Sequence, residues 1–510
     1  MTLKIGQAQK KSWCSLKDEL LKILGERGAD FLILENCDPV TFLHNKNTQL
    51  ARLTGFLGSA GEGVLTREGK VLLFVDPRYH LQAQKYATGE VKLVELQMDE
   101  KFLDVLARLV PKGAKILVSS NIYLNKFKKI EKKFGIVETV NFGIYEAPDA
   151  APLTQVPIEI AGVSAKEKIA KIAAFTAKKG ADAYFISAPE DIAYLMNLRG
   201  AITEKLIVYT DGKTALLKHH EYENRLKSLR GKVLYYPPHT TLHDFNLLRA
   251  PVELKQNPIA KMMSIKNDAE ITHLKSCFAR TDTALRRFKA QIKEGMSERE
   301  LRKIIERELL KEAGALSFPT ILGVGKNGAS IHYNDFDDCA RLKKGDLLLL
   351  DCGAYYEGGY ATDITRVFVC GEPTQAQKKV YTLVLQAFMK AYYASADKPA
   401  ELDKIAREFL YKKAPKGFSF PHALGHGIGI NVHQSPPTLA PKGKGRLKKG
   451  MVFSIEPGLY CENAFGVRLE NCVYIDKNGK KQTLSHFEFE KKLIDEKMLN
   501  KKELNWLAKW

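Results

Sequence analysis

Four carboxylates and one imidazole in the C-terminal half stand within or beside apolar, strand-like runs. They are Asp351 in LLLLDCGAYY, Asp363 in YATDITRVF, His426 in GHGIG, Glu456 in FSIEPG and Glu470 in GVRLENCV. A carboxylate in an apolar strand is costly to bury unless it is paired, protonated or bound to metal. One such residue reads as a satisfied core or edge group; four carboxylates and an imidazole together point to a metal pair. Two divalent cations bring four positive charges against four carboxylates. Oxygen-rich ligation with a single imidazole and no thiolate suits Mn, Fe, Co or Zn. Such a pair can hold a hydroxide near neutral pH and polarise a carbonyl, so the implied reaction is hydrolysis.

Three further histidines join the candidate set. His422 lies four residues before His426, and His433 seven after it. His-x-x-x-His can mark a zinc-binding helix, but no Glu follows His422, and HALGHGIG is too rich in glycine for a helix. In an extended segment His422 and His426 share a face and His433 lies opposite, so a bend is needed to bring His433 in. His332, in SIHYN, is the third. Two other patterns read differently. Gly323-Val-Gly-Lys-Asn-Gly328 matches a dinucleotide fingerprint, but an extended segment follows it where a helix is required, so it reads as a tight loop. The basic run Lys442-Gly-Lys-Gly-Arg-Leu-Lys-Lys449 reads as a solvated loop.

The elements that must position these residues belong to a long chain. Its 510 residues predict two to four domains at roughly 100–200 residues each. A chain of this length buries large cores without disulfides. The net charge of +20 could signal a polyanionic partner. It is spread evenly, however: residues 263–510 carry 41 basic and 30 acidic residues, and the remainder 38 and 29. That diffuse excess argues against nucleic-acid binding. The eight cysteines form no C-x-x-C pair, no apolar signal segment follows Met1, and no apolar run approaches the about 18 residues of a membrane span. Reduced cysteines in a cytoplasmic protein with no membrane association are expected.

Three units are read along the chain: 1–150, 151–260 and 261–510. The first two alternate helix and strand patterns, which argues for α/β domains, with strands at Val71–Val75, Ile116–Val118, Ala183–Ile186, Leu206–Tyr209 and Val233–Tyr236. Pro148, Pro152 and Pro157 read as a linker, and Ser164-Ala-Lys-Glu167 as a capping box. In the third unit Asn267-Asp-Ala-Glu270, Ser297-Glu-Arg-Glu300 and Thr374-Gln-Ala-Gln377 each open a helix. Strand-like runs follow at Asp346–Asp351, Thr362–Val369, Gly427–Val432, Met451–Ile455 and Val467–Ile475, giving an α+β pattern.

At these motifs the chain resembles the creatinase/methionine-aminopeptidase superfamily. Residues 52–84 (RLTGFLGSAGEGVL to DPRYHLQAQ), 188–200 (APEDIAYLMNLRG) and 487–507 (FEFEKKLIDEKMLNKKELNWL) narrow the likeness to the three-domain Xaa-Pro aminopeptidases. The resemblance implies two creatinase-like α/β domains followed by a pita-bread α+β catalytic domain with two divalent metal ions, Mn²⁺ foremost and Zn²⁺, Co²⁺ or Fe²⁺ as alternatives. It makes Asp351, Asp363, His426, Glu456 and Glu470 the ligands, with Asp363 and Glu470 bridging. His332, His422 and His433 would line the substrate site, and Arg468 would stand behind the ligands. It implies peptide substrates with proline second, and a homodimer. Glu456 would move the proton, with His433 and His332 steadying the oxyanion and the substrate. A prolidase acting on Xaa-Pro dipeptides, and a metal-free peptide- or nucleic-acid-binding protein, are the alternatives. The sequence departs from the family in the spacing of its aspartates. Asp351 and Asp363 stand twelve apart where the family has eleven. Strand parity alone would turn one of them to the wrong face, and a glycine turn or bulge at Gly358-Gly359 is expected to absorb the extra residue.

Overall fold

The computed structural model describes residues 7–37, 46–142, 152–333 and 338–508; Pro148 of the expected linker lies outside them. The chain divides into two compact units. One comprises Met1–Thr154 and Ala165–Asn257, the other Gln155–Ser164 and Pro258–Trp510.

The N-terminal unit contains two sheets. Strands β1 (Phe31–Ile33), β2 (Gly61–Thr66), β3 (Val71–Val75), β4 (Val91–Glu95), β5 (Ile116–Ser119) and β6 (Val137–Val140) lie in the order β4-β3-β2-β1-β5-β6. Their residues alternate between two cores. Leu32, Leu65, Leu73 and Leu117 pack on one face, and Ile33, Val64, Phe74, Ile116 and Val118 on the other. Burial on both faces is why β1, β3 and Ile116–Val118 of β5 read as unbroken apolar runs. The second sheet orders β7 (Ala183–Ile186), β8 (Lys205–Tyr209), β9 (Thr214–Leu217), β10 (Val233–Tyr235) and β11 (Pro251–Glu253) as β9-β8-β7-β10-β11.

The C-terminal unit holds four long helices: α1 (Asp268–Lys289), α2 (Glu298–Leu310), α3 (Gln375–Tyr393) and α4 (Pro399–Lys413). Full capping boxes close the N-termini of three, at Asn267/Glu270, Ser297/Glu300 and Thr374/Gln377. Each cap satisfies otherwise orphaned amides and is worth about 1 kcal/mol. Strands β12 (Ile321–Val324), β13 (Leu347–Cys352) and β14 (Ile364–Val369) form an antiparallel sheet in that order. Short strands β15 (Gly425–His426) and β16 (Thr438–Leu439) pair with each other. A second sheet joins β17 (Val452–Ile455) to β20 (Asn471–Ile475) and β21 (Lys481–Thr483), while β18 (Gly458–Tyr460) pairs with β19 (Gly466–Arg468). Val380, Val384 and Phe388 of α3 join Leu347, Leu349, Phe453, Ile455, Val473 and Trp506 in one core.

Two sequence expectations are corrected. Gly427–Val432 is a loop, not a strand. Gly427 N–H donates to Pro437 O, and Gln434 N–H donates to Gly427 O, so the chain closes on itself there and does not extend. Val467–Ile475 is two strands, broken at Leu469-Glu470 where the chain passes from one partner to another. The G-x-G-x-x-G segment runs from β12 into a short 3₁₀ turn, Gly325–Ala329, in keeping with a tight loop.

Candidate metal centre

Asp351 and Asp363 are placed by one hairpin. Its register is continuous, from Leu347 opposite Val369 through Asp351 opposite Thr365 and Cys352 opposite Ile364 to the bridge of Tyr355 with Ala361. Directly opposed residues share a face, and so do residues two apart on a strand. Asp351, Thr365 and Asp363 therefore all lie on one face. No bulge is present. The turn has three residues, Glu357-Gly-Gly359, and two of them are left-handed, with φ of +68° at Gly358 and +67° at Gly359. A turn with an odd number of residues makes an even spacing the correct one. The departure at twelve is thus absorbed by loop length.

Glu456 and Glu470 occupy matching corners. Ile455 pairs with Asn471, and Gly458 with Arg468; between them Glu456-Pro457 and Leu469-Glu470 escape the ladder. A break in both strands at the same level turns their side chains out of the regular alternation. His426 is delivered by β15. Its amide donates to Ser454 Oγ at 3.0 Å, and Ser454 Oγ donates to Glu456 Oε1 at 3.0 Å. His426 Nδ1 lies 3.1 Å from Gly427 O, which fixes the proton on Nδ1. Nε2 is then the free lone pair, 3.4 Å from Asp363 Oδ2 and 3.3 Å from Glu456 Oε1. Asp363, His426 and Glu470 each present a ligand atom within 4.8 Å of the others.

Arg468 ties Asp351 and Glu470 to this group. Nη2 donates to Asp351 Oδ2 at 2.6 Å, Nη1 to Tyr460 Oη at 2.8 Å and to Ile331 O at 3.3 Å, and Nε to Thr365 Oγ1 at 3.1 Å. Thr365 Oγ1 in turn donates to Glu470 Oε2 at 2.8 Å. Burial pushes the carboxyls of Asp363 and Glu470 well above their usual range, and the neighbouring carboxylates push the same way. Burial likewise raises Glu456, against the lowering pull of His426 and Arg468. Burial works against the Arg468 charge, but Tyr460, Asp351 and Glu456 outweigh it, and its pKa is raised.

These observations test whether the residues suit a metal. Asp351 Oδ1 and Glu470 Oε1 are buried and receive no hydrogen bond. Leaving a buried carboxylate oxygen unpartnered costs about 1–3 kcal/mol or more. One arginine cannot neutralise four carboxylates, and the orphaned oxygens belong to two of them. Divalent cations supply both the missing charge and the missing partners, so the donor set fits them.

The other predicted residues fall in different places. The ring of His433 meets that of His426 edge-on, with centroids 4.4 Å apart, and His433 is exposed to solvent. The bend that brings it in is the closed loop at Gly427. His422 is turned to Tyr460, with Nε2 2.8 Å from Tyr460 Oη, and is buried. It joins the site through Tyr460 and Arg468. His332 lies half-buried in the turn after Gly325–Ala329, beside Ile331, whose carbonyl Arg468 engages. Sequence reading missed Thr365, Ser454 and Tyr460. Thr365 was legible as the residue two positions beyond Asp363 on the same strand face; Ser454 and Tyr460 carried no local signal.

Comparison with known proteins follows this division. A model of metallopeptidase family M24 matches residues 272–477. Two models of the creatinase/prolidase N-terminal domain match residues 17–145 and 146–205. A probable Xaa-Pro aminopeptidase P of Coprinopsis cinerea is 26% identical over 91% of this chain and 88% of its own length. Aminopeptidase P2 of Arabidopsis thaliana is 28% identical over 90% of this chain and 78% of its own. The crystal structure of an X-prolyl aminopeptidase from Caenorhabditis elegans, described as a cytosolic enzyme with a di-nuclear active site, superposes with a TM-score of 0.83 at 22% identity. It covers 94% of this chain and 90% of that one. That likeness establishes the fold: creatinase-like N-terminal domains and a pita-bread α+β domain. The metallopeptidase family M24 model thus falls on the residues that gather the acidic cluster, and the creatinase/prolidase N-terminal models fall on the residues ahead of it.

Proposed function

We propose that this protein is a metal-dependent aminopeptidase that removes the N-terminal residue of peptides with proline in second position. The observation that carries the reading is the buried, unpartnered carboxylate pair Asp351 Oδ1 and Glu470 Oε1 within a cluster that also holds Asp363, Glu456 and the free Nε2 of His426. The match of the chain to full-length Xaa-Pro aminopeptidases P supports the substrate class.

In this reading Asp351, Asp363, His426, Glu456 and Glu470 hold two divalent ions. When bound, these supply a water nucleophile at neutral pH and polarise the scissile carbonyl. Manganese suits the oxygen-rich donors. Glu456 Oε1, steadied by Ser454 Oγ, takes the proton of the attacking water and passes it to the leaving proline nitrogen. His433, on the open side of His426, donates to the developing oxyanion. His332 steadies the substrate backbone. His422 contributes through Tyr460 and Arg468. The domain limits at about 150 and 260, a homodimer and a cytoplasmic location belong to the same reading. The C. elegans enzyme's cytosolic description and the free state of the seven described cysteine side chains support the location.

The test is hydrolysis of an Xaa-Pro-Xaa tripeptide by purified protein with Mn²⁺. Activity should vanish with chelator and fall by at least about 10²-fold in Glu456→Ala. Cleavage of the Xaa-Pro dipeptide alone would favour the prolidase reading. Inertness toward the tripeptide with metal bound would sink the proposal.

A further inference from the structure

The loop after His433 carries a feature that the chemistry above leaves unused. From Phe409 to Ile455 the chain has no acidic residue and eight Lys or Arg, a stretch that includes the basic run Lys442–Lys449. Within it Ser435, Pro436, Thr438, Ala440, Lys442 and Lys444 line an open groove of about 440 Å³. The groove abuts the metal centre, because Thr438 is the direct cross-strand partner of His426. Opposed residues stand about 5 Å apart and share a face. Lys442 and Lys444 are exposed and have no acidic partner among the described residues, whereas Arg446 is paired with Asp397.

The groove is also shaped in advance. Gly443 N–H donates to Ala440 O at 2.8 Å, and a Cβ at Gly443 would lie 2.3 Å from Thr438 O. Leu447 is buried, and its amide donates to Asp397 O at 2.6 Å. The two lysines therefore rise from a loop held at both ends.

We propose that this groove is a carboxylate-binding subsite for the downstream part of the peptide substrate. The inference rests on the aminopeptidase reading and extends it to substrate choice. A basic flank one strand away from the metal centre suits a negative group on the downstream part of the substrate. An extended peptide advances about 3.3 Å per residue, so the groove meets the second to fourth residue after the scissile bond. The carboxylate is either the free C-terminus of a short peptide or an Asp or Glu side chain of a longer one.

Three peptides separate these sources: Ala-Pro-Ala-Ala-amide, Ala-Pro-Ala-Ala with a free C-terminus, and Ala-Pro-Ala-Asp-amide. A carboxylate should raise kcat/KM about three- to tenfold over the neutral amide, mainly through KM, and the gain should shrink with added salt. Lys442→Ser/Lys444→Ser should bring the ratio to about one, and Lys442→Arg/Lys444→Arg should restore it. A gain confined to the free terminus, or to the aspartate, supports the subsite and names its source. Cleavage of all three peptides at equal rates by the wild type, or a preference that survives Lys442→Ser/Lys444→Ser, overturns this inference and leaves the aminopeptidase reading standing. Inertness toward all three overturns both.

Discussion

Arg366 and Arg468 are each fully buried, and burial works against both charges, yet their pKa values move in opposite directions. Arg366 donates to the carbonyls of Thr365, Glu470 and Phe487 and to Asn471 Oδ1, and its guanidinium lies 4.5 Å from the Phe489 ring centroid. Neutral acceptors do not offset desolvation, and its pKa falls to about 10. Arg468 faces Asp351, Glu456 and Tyr460, and its pKa rises. Arg366 is therefore a structural cross-brace, and Arg468 is bound electrostatically to the acidic cluster. Arg468→Met keeps much of the volume but strands Asp351 Oδ2. Removing one partner of a buried ion pair costs about 3–5 kcal/mol, and loss of a group that orients a ligand lowers metal affinity about 10–100-fold. Urea unfolding and a Mn²⁺ titration of the variant should show both effects, with Arg468→Lys intermediate because it keeps the charge but lacks the planar fork that reaches Asp351, Tyr460 and Thr365 together. Wild-type metal affinity in Arg468→Met would show that Arg468 does not orient the ligands.

The hairpin between Asp351 and Asp363 makes the corresponding argument at the level of an element. Its tip is clamped by α1. Arg280 forms a bidentate pair with Glu357 at 3.0 and 2.6 Å, Tyr360 Oη donates to Glu270 Oε1 at 2.7 Å, and Thr281 Oγ1 lies 2.9 Å from Tyr356 Oη. Deleting Gly359 would shorten the turn to an even number and place the two aspartates on opposite faces. Gly358→Ala keeps the parity but forces a side chain to φ +68°, with its Cβ 2.8 Å from Ile160 Cγ2. The substitution should cost about 1 kcal/mol or more and leave Mn²⁺ affinity within about threefold, while the deletion should abolish binding. Equal binding by both proteins in calorimetric titration would refute the parity argument. The same hairpin shows what a sequence can reveal. The capping boxes at Asn267, Ser297 and Thr374 were legible because a cap is decided within four residues. Asp351 and Asp363 were legible as odd charges in apolar runs. Their shared face was not, since parity depends on where the strands stop and how many residues turn between them. The corners at Glu456 and Glu470 were hidden for the same reason: each exists only because two distant strands break at one level. Gly427–Val432 misled because Ile428, Ile430 and Val432 alternate like a strand while long-range hydrogen bonds fold the segment into a loop.

Over the whole molecule the excess of +20 is spread through both halves of the sequence, and salt screens exposed charges beyond about 8–10 Å. The buried acidic cluster escapes that screening, so a handful of carboxylates should govern how stability depends on pH. Burial, reinforced by their neighbours, holds Asp363 and Glu470 well above the ordinary carboxylate range, with Glu456 raised too. Without metal, the folded protein keeps protons that the unfolded chain releases from about pH 4 upward. The folded state then binds more protons than the unfolded one, so stability falls as pH rises through the window between the unfolded and the raised folded values. Metal reverses the slope. Its ligands must be deprotonated, so binding releases protons and strengthens as pH rises. At a metal concentration of 100 Kd the stabilisation is about 2.7 kcal/mol. Melting curves of the chelated and the Mn²⁺-saturated protein should therefore diverge between pH 5 and 8, the gap widening with pH. Groups outside the cluster contribute equally to both samples and cancel in the difference. Asp363→Asn, which removes one of the buried titrating groups, should narrow the divergence. Parallel curves across that interval would mean that the cluster binds no metal in exchange for protons, and the metallopeptidase chemistry built on it would fall with that result.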